Sequence, residues 1–267
     1  MSDQGEPIRR KESFDEVAEV YDSSRPGPPV PVLEALFELT QVGPESRVLE
    51  IGCGTGQLSV PLARRGVELV AVELGRNLAA IARRNLSRFP RARVDVSSFE
   101  AWTLPAESFD LVACSNAFHW LDPELRVSKS ARALGPDRLL AVVHPHSVFG
   151  GTEQFFLDSQ SAYVKWVPGT EPGFRMPAAE NVPEMYVEID HCDQFELVSR
   201  HRQTAEVPFT TSSYVGMLET DSMIRALAPA SRDGFLADIG TLIDARYDGS
   251  VTRKYVYELI VWRRAPA

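Results

Sequence analysis

The chain has 267 residues, of which 44% are hydrophobic and 24% are charged, and its formal net charge is −9. These values are typical of a folded globular protein and leave room for one large α/β domain. An acidic chain without clustered Lys and Arg disfavours a nucleic-acid substrate, because binding phosphates requires a basic surface. No apolar run approaches the roughly 18 residues of a bilayer span, so we also expect no membrane partner.

The cysteines and the first residues bear on cellular location. Cys53, Cys114 and Cys192 are three in number and widely spaced, which does not suit a disulfide framework. The opening sequence MSDQGEPIRRKES has no apolar core, which disfavours a signal peptide. We therefore expect a cytoplasmic protein. Separately, we expect it to be a monomer or a homodimer.

Helices and short apolar strands alternate in the first half of the chain. In chain order the pattern predicts a helix over 14–21, a Pro-rich turn, a helix over 32–39, and strands over 47–51, 68–73, 92–96 and 109–115. A helix over 123–134, ended by Gly135-Pro136, and a strand over 138–144 follow. Continuous apolar strands between helices indicate a parallel sheet buried on both faces.

The pattern changes after residue 146. Residues 147–194 contain a predicted helix over 152–166 and then Pro- and Gly-rich turns, and they show no convincing strand. A long strand over 195–207, helices over 212–219 and 232–247, and a last strand over 251–263 complete the prediction. The segment 147–194 therefore has the character of an insertion.

The most informative motif joins the first strand to the helix after it, in the sequence Glu50-Ile-Gly52-Cys53-Gly54-Thr-Gly56. Closely spaced glycines let the backbone turn sharply and let a ligand contact main chain where a Cβ would block it. A dinucleotide fingerprint is G-x-G-x-x-G, but here the third glycine falls one residue early. A glycine turn without a ligand is the alternative.

The second strand ends in a carboxylate, Glu73, about 20 residues after Gly52, as one βαβ step requires. A carboxylate at that strand end can accept hydrogen bonds from both hydroxyls of a ribose. The alternative is a solvated Glu at the end of a strand.

The E-x-G-x-G-x-G sequence resembles the first motif of the class I S-adenosylmethionine (SAM)-dependent methyltransferases. The A-F-H-W-x-D stretch at 117–122 is similar to the type 11 group, which includes trans-aconitate and bacterial small-molecule methyltransferases. The resemblance implies a Rossmann-like, mostly parallel seven-stranded α/β sheet flanked by helices, with a mainly helical insertion over the active site. It also implies SAM as cofactor and methyl transfer to O or N, including a carboxylate, of a small-molecule acceptor in secondary metabolism.

The resemblance assigns cofactor contacts along the chain. Residues 14–26, FDEVAEVYDSSRP, are similar to a family segment that folds over the cofactor, so Tyr21 would cover the methionine end and Arg25 would approach its carboxylate. The family often has Tyr where this chain has Pro28, and Asp where it has Ser98. The remaining contacts fall on Glu50, Gly52, Cys53, Gly54, Glu73, Leu74, Ser98, Phe99, Ser115, Asn116 and Ala117.

The ends of the fourth and fifth strands supply the candidate catalytic residues. His119 is the candidate base or orienting group, because an imidazole pKa near 6.5 suits proton removal at neutral pH. His144 is a second candidate, and Trp120, His146 and Tyr214 are candidate substrate contacts. The alternative for His119 is that it only orders its loop. We expect no metal, because no Glu or Cys stands at ligand spacing from these histidines.

The resemblance also divides the chain. It implies a cofactor-covering segment over 1–31, a SAM-binding core over 32–146, a lid or acceptor insertion over 147–194, and a C-terminal part of the core with acceptor-site helices over 195–267. Aromatic residues of the insertion and the later helices form either an apolar acceptor pocket or ordinary helix packing. Three other functions remain open: a SAM-binding protein without transferase activity, a nicotinamide-dependent oxidoreductase, and a methyltransferase acting on a macromolecule.

Overall fold

The computed structural model describes residues 14–266. Its seven strands are β1 (Arg47–Ile51), β2 (Glu68–Glu73), β3 (Ala92–Val96), β4 (Phe109–Ser115), β5 (Leu134–Gly151), β6 (Phe195–Thr210) and β7 (Ser250–Arg264). They form a sheet in the order β3-β2-β1-β4-β5-β7-β6, and neighbours among the first five pair in parallel. The predicted Rossmann-like fold is confirmed.

The helices alternate with the early strands and cluster later in the chain. They are α1 (Ala18–Ser24), α2 (Val30–Thr40), α3 (Ser59–Arg64), α4 (Arg76–Leu86), α5 (Pro123–Ala133), α6 (Glu153–Asp158), α7 (Gln160–Trp166), α8 (Val187–Asp190), α9 (Thr211–Glu219), α10 (Ser222–Arg225) and α11 (Pro229–Arg246). Short 3-10 turns occur at Asp15–Val17, Phe118–Trp120 and Ala179–Asn181. None of the helices within residues 14–266 combines the length and apolarity that crossing a bilayer requires.

The central strands have the bounds that their apolar runs predict. Almost every residue of β1, β2 and β4 is buried, as expected for parallel strands with both faces covered. Strand β5 is longer than predicted, because Leu134 already pairs with Phe109 and a register shift then absorbs the Gly135-Pro136 step. The strand also continues to Gly151, so the start of the predicted insertion is strand.

The predicted helix over 152–166 is two helices, α6 and α7. They meet at Ser159, whose buried hydroxyl donates to the carbonyl of Phe156. A serine that bonds back to its own helix competes with the helical ladder, which accounts for a break at this residue.

The chain divides into two compact units, and the division falls within β5, β6 and β7. The sheet unit comprises residues 27–145, 183–203 and 257–266. The helical unit comprises residues 14–26, 146–182 and 204–256. The predicted segment over 1–31 lies partly outside the described residues, and the predicted division of the chain into four segments stays a prediction.

Each unit has its own packed interior. In the sheet unit, apolar side chains of β1, β2, β4 and β5 pack with buried aromatic rings, among them Phe109, Phe118 and Trp262. In the helical unit, α1 packs on α9, and both α9 and α7 pack on α11. Gly216 permits the first of these contacts, because a Cβ there would lie 2.3 Å from the hydroxyl of Ser24.

Candidate cofactor and catalytic site

The turn after β1 brings two backbone segments into direct contact. Gly52 has φ +66° and donates its N–H to the carbonyl of Val72. A Cβ on Gly52 would lie only 2.5 Å from the Cβ of Ala117. Ala117 reaches this position because Asn116, which follows β4, also takes a left-handed conformation, with φ +53°. Glycine is thus required at position 52 for two reasons, its dihedral angle and its neighbour.

Glu73 holds the glycine turn to the end of β2. Its buried carboxylate accepts a hydrogen bond from the N–H of Gly54 at 2.8 Å and another from the N–H of Gly75 at 2.8 Å. Gly75 precedes α4, so one carboxylate orients both the turn and the start of the next helix. The two sequence features that seemed separate, the glycine turn and the strand-end carboxylate, form one site.

Glu50 lies beneath the turn, fully buried. The hydroxyl of Ser59, at the start of α3, donates to its Oε2 at 2.5 Å. Burial raises the pKa of Glu50 to about 8, and the nearby charge of Glu73 adds to the rise. The carboxyl is therefore mostly protonated at pH 7. Ser59 is a site residue that sequence reasoning missed.

The other predicted cofactor residues of the sheet unit take varied environments. The hydroxyl of Ser98 accepts the N–H of Ala101 and so orders the turn after β3. Phe99 is buried in the core, with the ammonium of Lys129 5.2 Å from its ring centre. Leu74 is partly exposed, Cys53 is buried, and Ser115 is half-buried at the end of β4. Their cofactor contacts stay predictions.

His119, in the 3-10 turn after β4, and His144, in β5, lie close together. Their ring centres are 5.2 Å apart in an edge-on arrangement. Trp120 stacks obliquely beside His119, with 5.0 Å between ring centres. The hydroxyl of Tyr186 lies 3.4 Å from Nδ1 of His144, a long contact. The two predicted catalytic histidines thus form a cluster of aromatic rings with Trp120 and Tyr186.

A buried arginine on α5 supports this cluster. Arg126 donates to the carbonyl of Phe118 at 3.2 Å and pairs with Glu188. Its guanidinium carbon lies 5.0 Å from the ring centre of Tyr186 and 5.3 Å from that of Phe118. A positive charge at this place disfavours protonation of a nearby imidazole.

His119 has a strongly shifted pKa. His119 is exposed on the protein surface, but desolvation by the neighbouring protein atoms, together with the charge of Arg126, lowers its pKa to about 4. The imidazole is therefore neutral at pH 7 and can accept a hydrogen bond or a proton. The same shift makes it a weaker base than an ordinary histidine.

Tyr186 was missed by sequence reasoning. It is a buried tyrosine with φ +59°, a conformation that costs an L-residue with a large side chain roughly 1–2 kcal/mol. Its ring packs edge-on against Phe118, with 5.4 Å between ring centres. Strained non-glycine residues cluster at functional sites, so this residue joins the candidate site. No local motif in the sequence marks it.

Four predicted site residues belong to the helical unit. The guanidinium of Arg25 donates to the hydroxyl and the carbonyl of Thr220, and it lies 5.8 Å from the ring centre of Tyr21. Tyr214 is fully buried and packs edge-on against Phe155. His146 also falls in this unit. The proposed contacts of Tyr21, Arg25, His146 and Tyr214 with cofactor or substrate stay predictions.

Within residues 14–266, no group of three His, Cys, Asp or Glu side chains is arranged to hold a metal ion.

The sequence similarity to known proteins is clearest in the first half of this chain. Residues 48–137, which contain the glycine turn, Glu73 and His119, match a family model described as a methyltransferase domain. The chain contains a methyltransferase domain. The predicted recognition is confirmed, and the domain match supports the predicted cofactor, SAM.

Relatives of the methyltransferase domain include proteins from yeast and bacteria. An uncharacterized methyltransferase of Schizosaccharomyces pombe is 32% identical over 124 residues, which cover 46% of this chain and 48% of that protein. The malonyl-[acyl-carrier protein] O-methyltransferase of Geobacter sulfurreducens is 35% identical over 127 residues, 46% of each chain. The chain spans about half the length of these relatives.

The fold extends further than the sequence similarity. A solved structure of a candidate type II methyltransferase from Anaeromyxobacter dehalogenans matches with a TM-score of 0.62 and 21% identity, covering 91% of this chain and 99% of that one. At this identity the likeness concerns the fold alone. It places the methyltransferase domain within a Rossmann-like sheet of the same kind.

Proposed function

We propose that this protein is a SAM-dependent methyltransferase that transfers a methyl group to an oxygen or nitrogen of a small-molecule acceptor. The observation that carries the proposal is the hydrogen bond between Gly54 and the Glu73 carboxylate, which joins the glycine turn and the strand-end acid in one site. The methyltransferase domain match supports this function over a nicotinamide oxidoreductase. The net charge of −9 favours a small molecule over a nucleic acid.

The residues at the sheet edge suit SAM. Because Gly52 has no side chain, its backbone stays accessible at a place where a Cβ would fill the space toward Ala117. Glu73 supplies a fixed carboxylate for the ribose hydroxyls, since a carboxylate can accept about four hydrogen bonds. Glu50, with its raised pKa, is a carboxyl that a neighbouring cationic group would ionise. We assign the ribose to Glu73 and the methionine side to the turn and the Asn116–Ala117 backbone.

The reaction is a displacement at carbon. When bound, SAM supplies a methyl group on a sulfonium sulfur; the acceptor lone pair forms the new bond to that carbon, and sulfur keeps the electrons of the broken bond. The protein contributes orientation and exclusion of water, which supply most of the rate for such transfers.

His119 is assigned to the acceptor. A neutral imidazole accepts a hydrogen bond from an acceptor hydroxyl or ammonium and takes its proton as the new bond forms. His144 and Trp120 hold the ring from two sides, with ring centres 5.2 and 5.0 Å away. Desolvation, and secondly the charge of Arg126, keep the imidazole neutral before the acceptor binds.

The acceptor atom to test first is oxygen. One relative of the domain is named as an O-methyltransferase, and a weak base such as His119 suits an acidic hydroxyl or a carboxylate that needs little proton removal. A role in secondary metabolism and a cytoplasmic location stay predictions.

Labelled SAM and a panel of carboxylic acids, phenols and amines test the proposal, with mass spectrometry of the products. We expect methylated product from at least one class. His119→Ala should lower turnover about a hundredfold, the low end for general base catalysis. The affinity for SAM should stay within about twofold, since His119 is assigned to the acceptor.

The matched control is His191→Ala, because His191 is an exposed histidine in the same unit. It should leave turnover unchanged. SAM binding without product across the whole panel would instead favour a SAM-binding protein that lacks transferase activity. Equal turnover of the His119→Ala and wild-type proteins would reject the catalytic assignment of His119.

A further inference from the structure

The helical unit contains a cavity of about 550 Å³. This volume lies in the range of small-molecule sites. Its walls are largely apolar and include Phe149, Phe156, Tyr163 and Leu218. Arg253, Gln160 and Asp221 are among the polar residues that line it.

Arg253, on β7, is the unusual member of this lining. One terminal nitrogen donates to the hydroxyl of Ser147 at 2.9 Å, and the other meets only the sulfur of Met217 at 3.6 Å. Its buried Nε has no hydrogen-bond partner. Among residues 14–266, no carboxylate forms a hydrogen bond or an ion pair with Arg253.

Aromatic rings surround the same guanidinium. Its central carbon lies 5.9 Å from the ring centres of Phe156 and Tyr214 and 5.4 Å from that of Tyr255. Rings stabilise a cation weakly, and they leave its in-plane donors unsatisfied. A buried charge with unused donors is costly unless an anion pairs with it.

A second polar atom in the lining also lacks a partner. The amide nitrogen of Gln160 donates to the carbonyl of Phe156 at 3.2 Å, which fixes the orientation of the amide. The oxygen of that amide is buried and accepts no hydrogen bond. Arg253 and Gln160, which both line the cavity, thus each carry a buried polar atom without a hydrogen-bond partner.

The acidic groups of the lining make no direct pair with the arginine, although the charge of Asp221 attracts it electrostatically. Asp221 uses its Oδ1 to cap α10, accepting the N–H groups of Met223 at 2.9 Å and Ile224 at 3.4 Å. Glu171 is exposed, and so is Arg175, which brings a second positive charge to the same lining.

We propose that this cavity binds an organic carboxylate with an apolar body and a hydroxyl group, the carboxylate on Arg253 and the hydroxyl donating to Gln160. A planar guanidinium suits a carboxylate, and the aromatic walls suit the apolar body. The inference goes beyond the proposed function, because the binding is measured without SAM. A further step, that such an acid is also the methyl acceptor, rests on the proposed function; the binding itself does not.

Calorimetry on the full chain, without SAM, tests the binding. The probes are 2-naphthylacetate, its uncharged amide 2-naphthylacetamide, and the hydroxy acid 2-naphthylglycolate. The wild type should bind the acid at least tenfold more tightly than the amide. Arg253→Met should abolish that preference without changing affinity for the amide, and Arg253→Lys should retain part of it.

The hydroxy acid tests the second contact. It should bind the wild type several-fold more tightly than the simple acid, and Gln160→Leu should remove only this gain. Arg246→Met is the matched control, because Arg246 is exposed, pairs with Asp158 and does not line the cavity. It should bind all three probes as the wild type does.

Three results would overturn the proposal: no binding of the acids at millimolar concentration, equal affinity for acid and amide, or an equal loss in Arg246→Met. Thermal denaturation checks that the variants fold. If Arg253→Met does not fold, the acid-to-amide ratio of Arg253→Lys decides, and an unchanged ratio rejects the assignment.

Discussion

Gly52→Ala tests whether the turn after β1 requires glycine. The substitution imposes φ +66° on an alanine, which costs roughly 1–2 kcal/mol. It also places a new Cβ 2.5 Å from the Cβ of Ala117, too close for carbon atoms, and overpacking of this kind costs about 1–3 kcal/mol. The expected loss in the free energy of unfolding is therefore about 2–5 kcal/mol, measured by urea denaturation.

Two other glycines separate the two causes. Gly43→Ala should have little effect, because Gly43 has no heavy atom within 4 Å of an added Cβ and no positive φ. Gly169→Ala meets no atom either but has φ +79°, so it reports the backbone cost alone. In a Gly52→Ala, Ala117→Gly double variant, relief of the clash should restore about 1–3 kcal/mol relative to the sum of the single changes.

The loss in Gly52→Ala should extend to the cofactor, because movement of the turn displaces Gly54 from Glu73. Calorimetry with SAM should give at least tenfold weaker binding in this variant and unchanged binding in Gly43→Ala. A Gly52→Ala protein as stable as Gly43→Ala, or a double variant with no recovery, would refute the reasoning.

Two predictions concern protonation. NMR titration should show His119 protonating near pH 4, and Arg126→Met should raise this pKa while leaving it below the ordinary 6.5, since desolvation by neighbouring atoms is the larger cause; a wild-type value of 6.5 would contradict the assigned environment. Glu50 has a raised pKa, so the folded state binds more protons than the unfolded state between pH 4.5 and 8, and stability falls as pH rises through that range. Urea denaturation should show wild type losing stability relative to Glu50→Gln by up to about 1.4 kcal/mol per pH unit there, whereas a constant difference between the two proteins would reject a protonated Glu50.

Much of the sheet follows from the sequence. The central strands are continuous apolar runs bounded by turns, and their ends were predicted correctly because burial on both faces leaves no room for polar residues. The extension of β5 to Gly151 was not predicted, since it depends on pairing distant in sequence. A Cβ on Gly151 would lie 2.3 Å from the carbonyl oxygen of Thr252, a contact that no local pattern reveals.

Some residues of the candidate site can likewise be predicted from the sequence, and others cannot. Gly52, Gly54 and Glu73 are readable because they stand at a fixed spacing along one βαβ step. Tyr186, Arg126 and Arg253 are not, because their roles come from side chains brought together by folding. A tyrosine rarely adopts a positive φ, so the local sequence predicts a different conformation at Tyr186 from the one that packing against Phe118 imposes.

A calorimetric titration of the wild-type protein and Glu73→Ala with SAM, and separately with NADH, tests the central claim most directly. The account predicts that the wild type binds SAM and not NADH, and that Glu73→Ala weakens SAM binding by roughly 1–3 kcal/mol. Glu68→Ala is the control, because Glu68 begins the same strand and pairs with Arg47; it should bind SAM normally. Preferential binding of NADH, or unchanged SAM affinity in Glu73→Ala, would contradict the account.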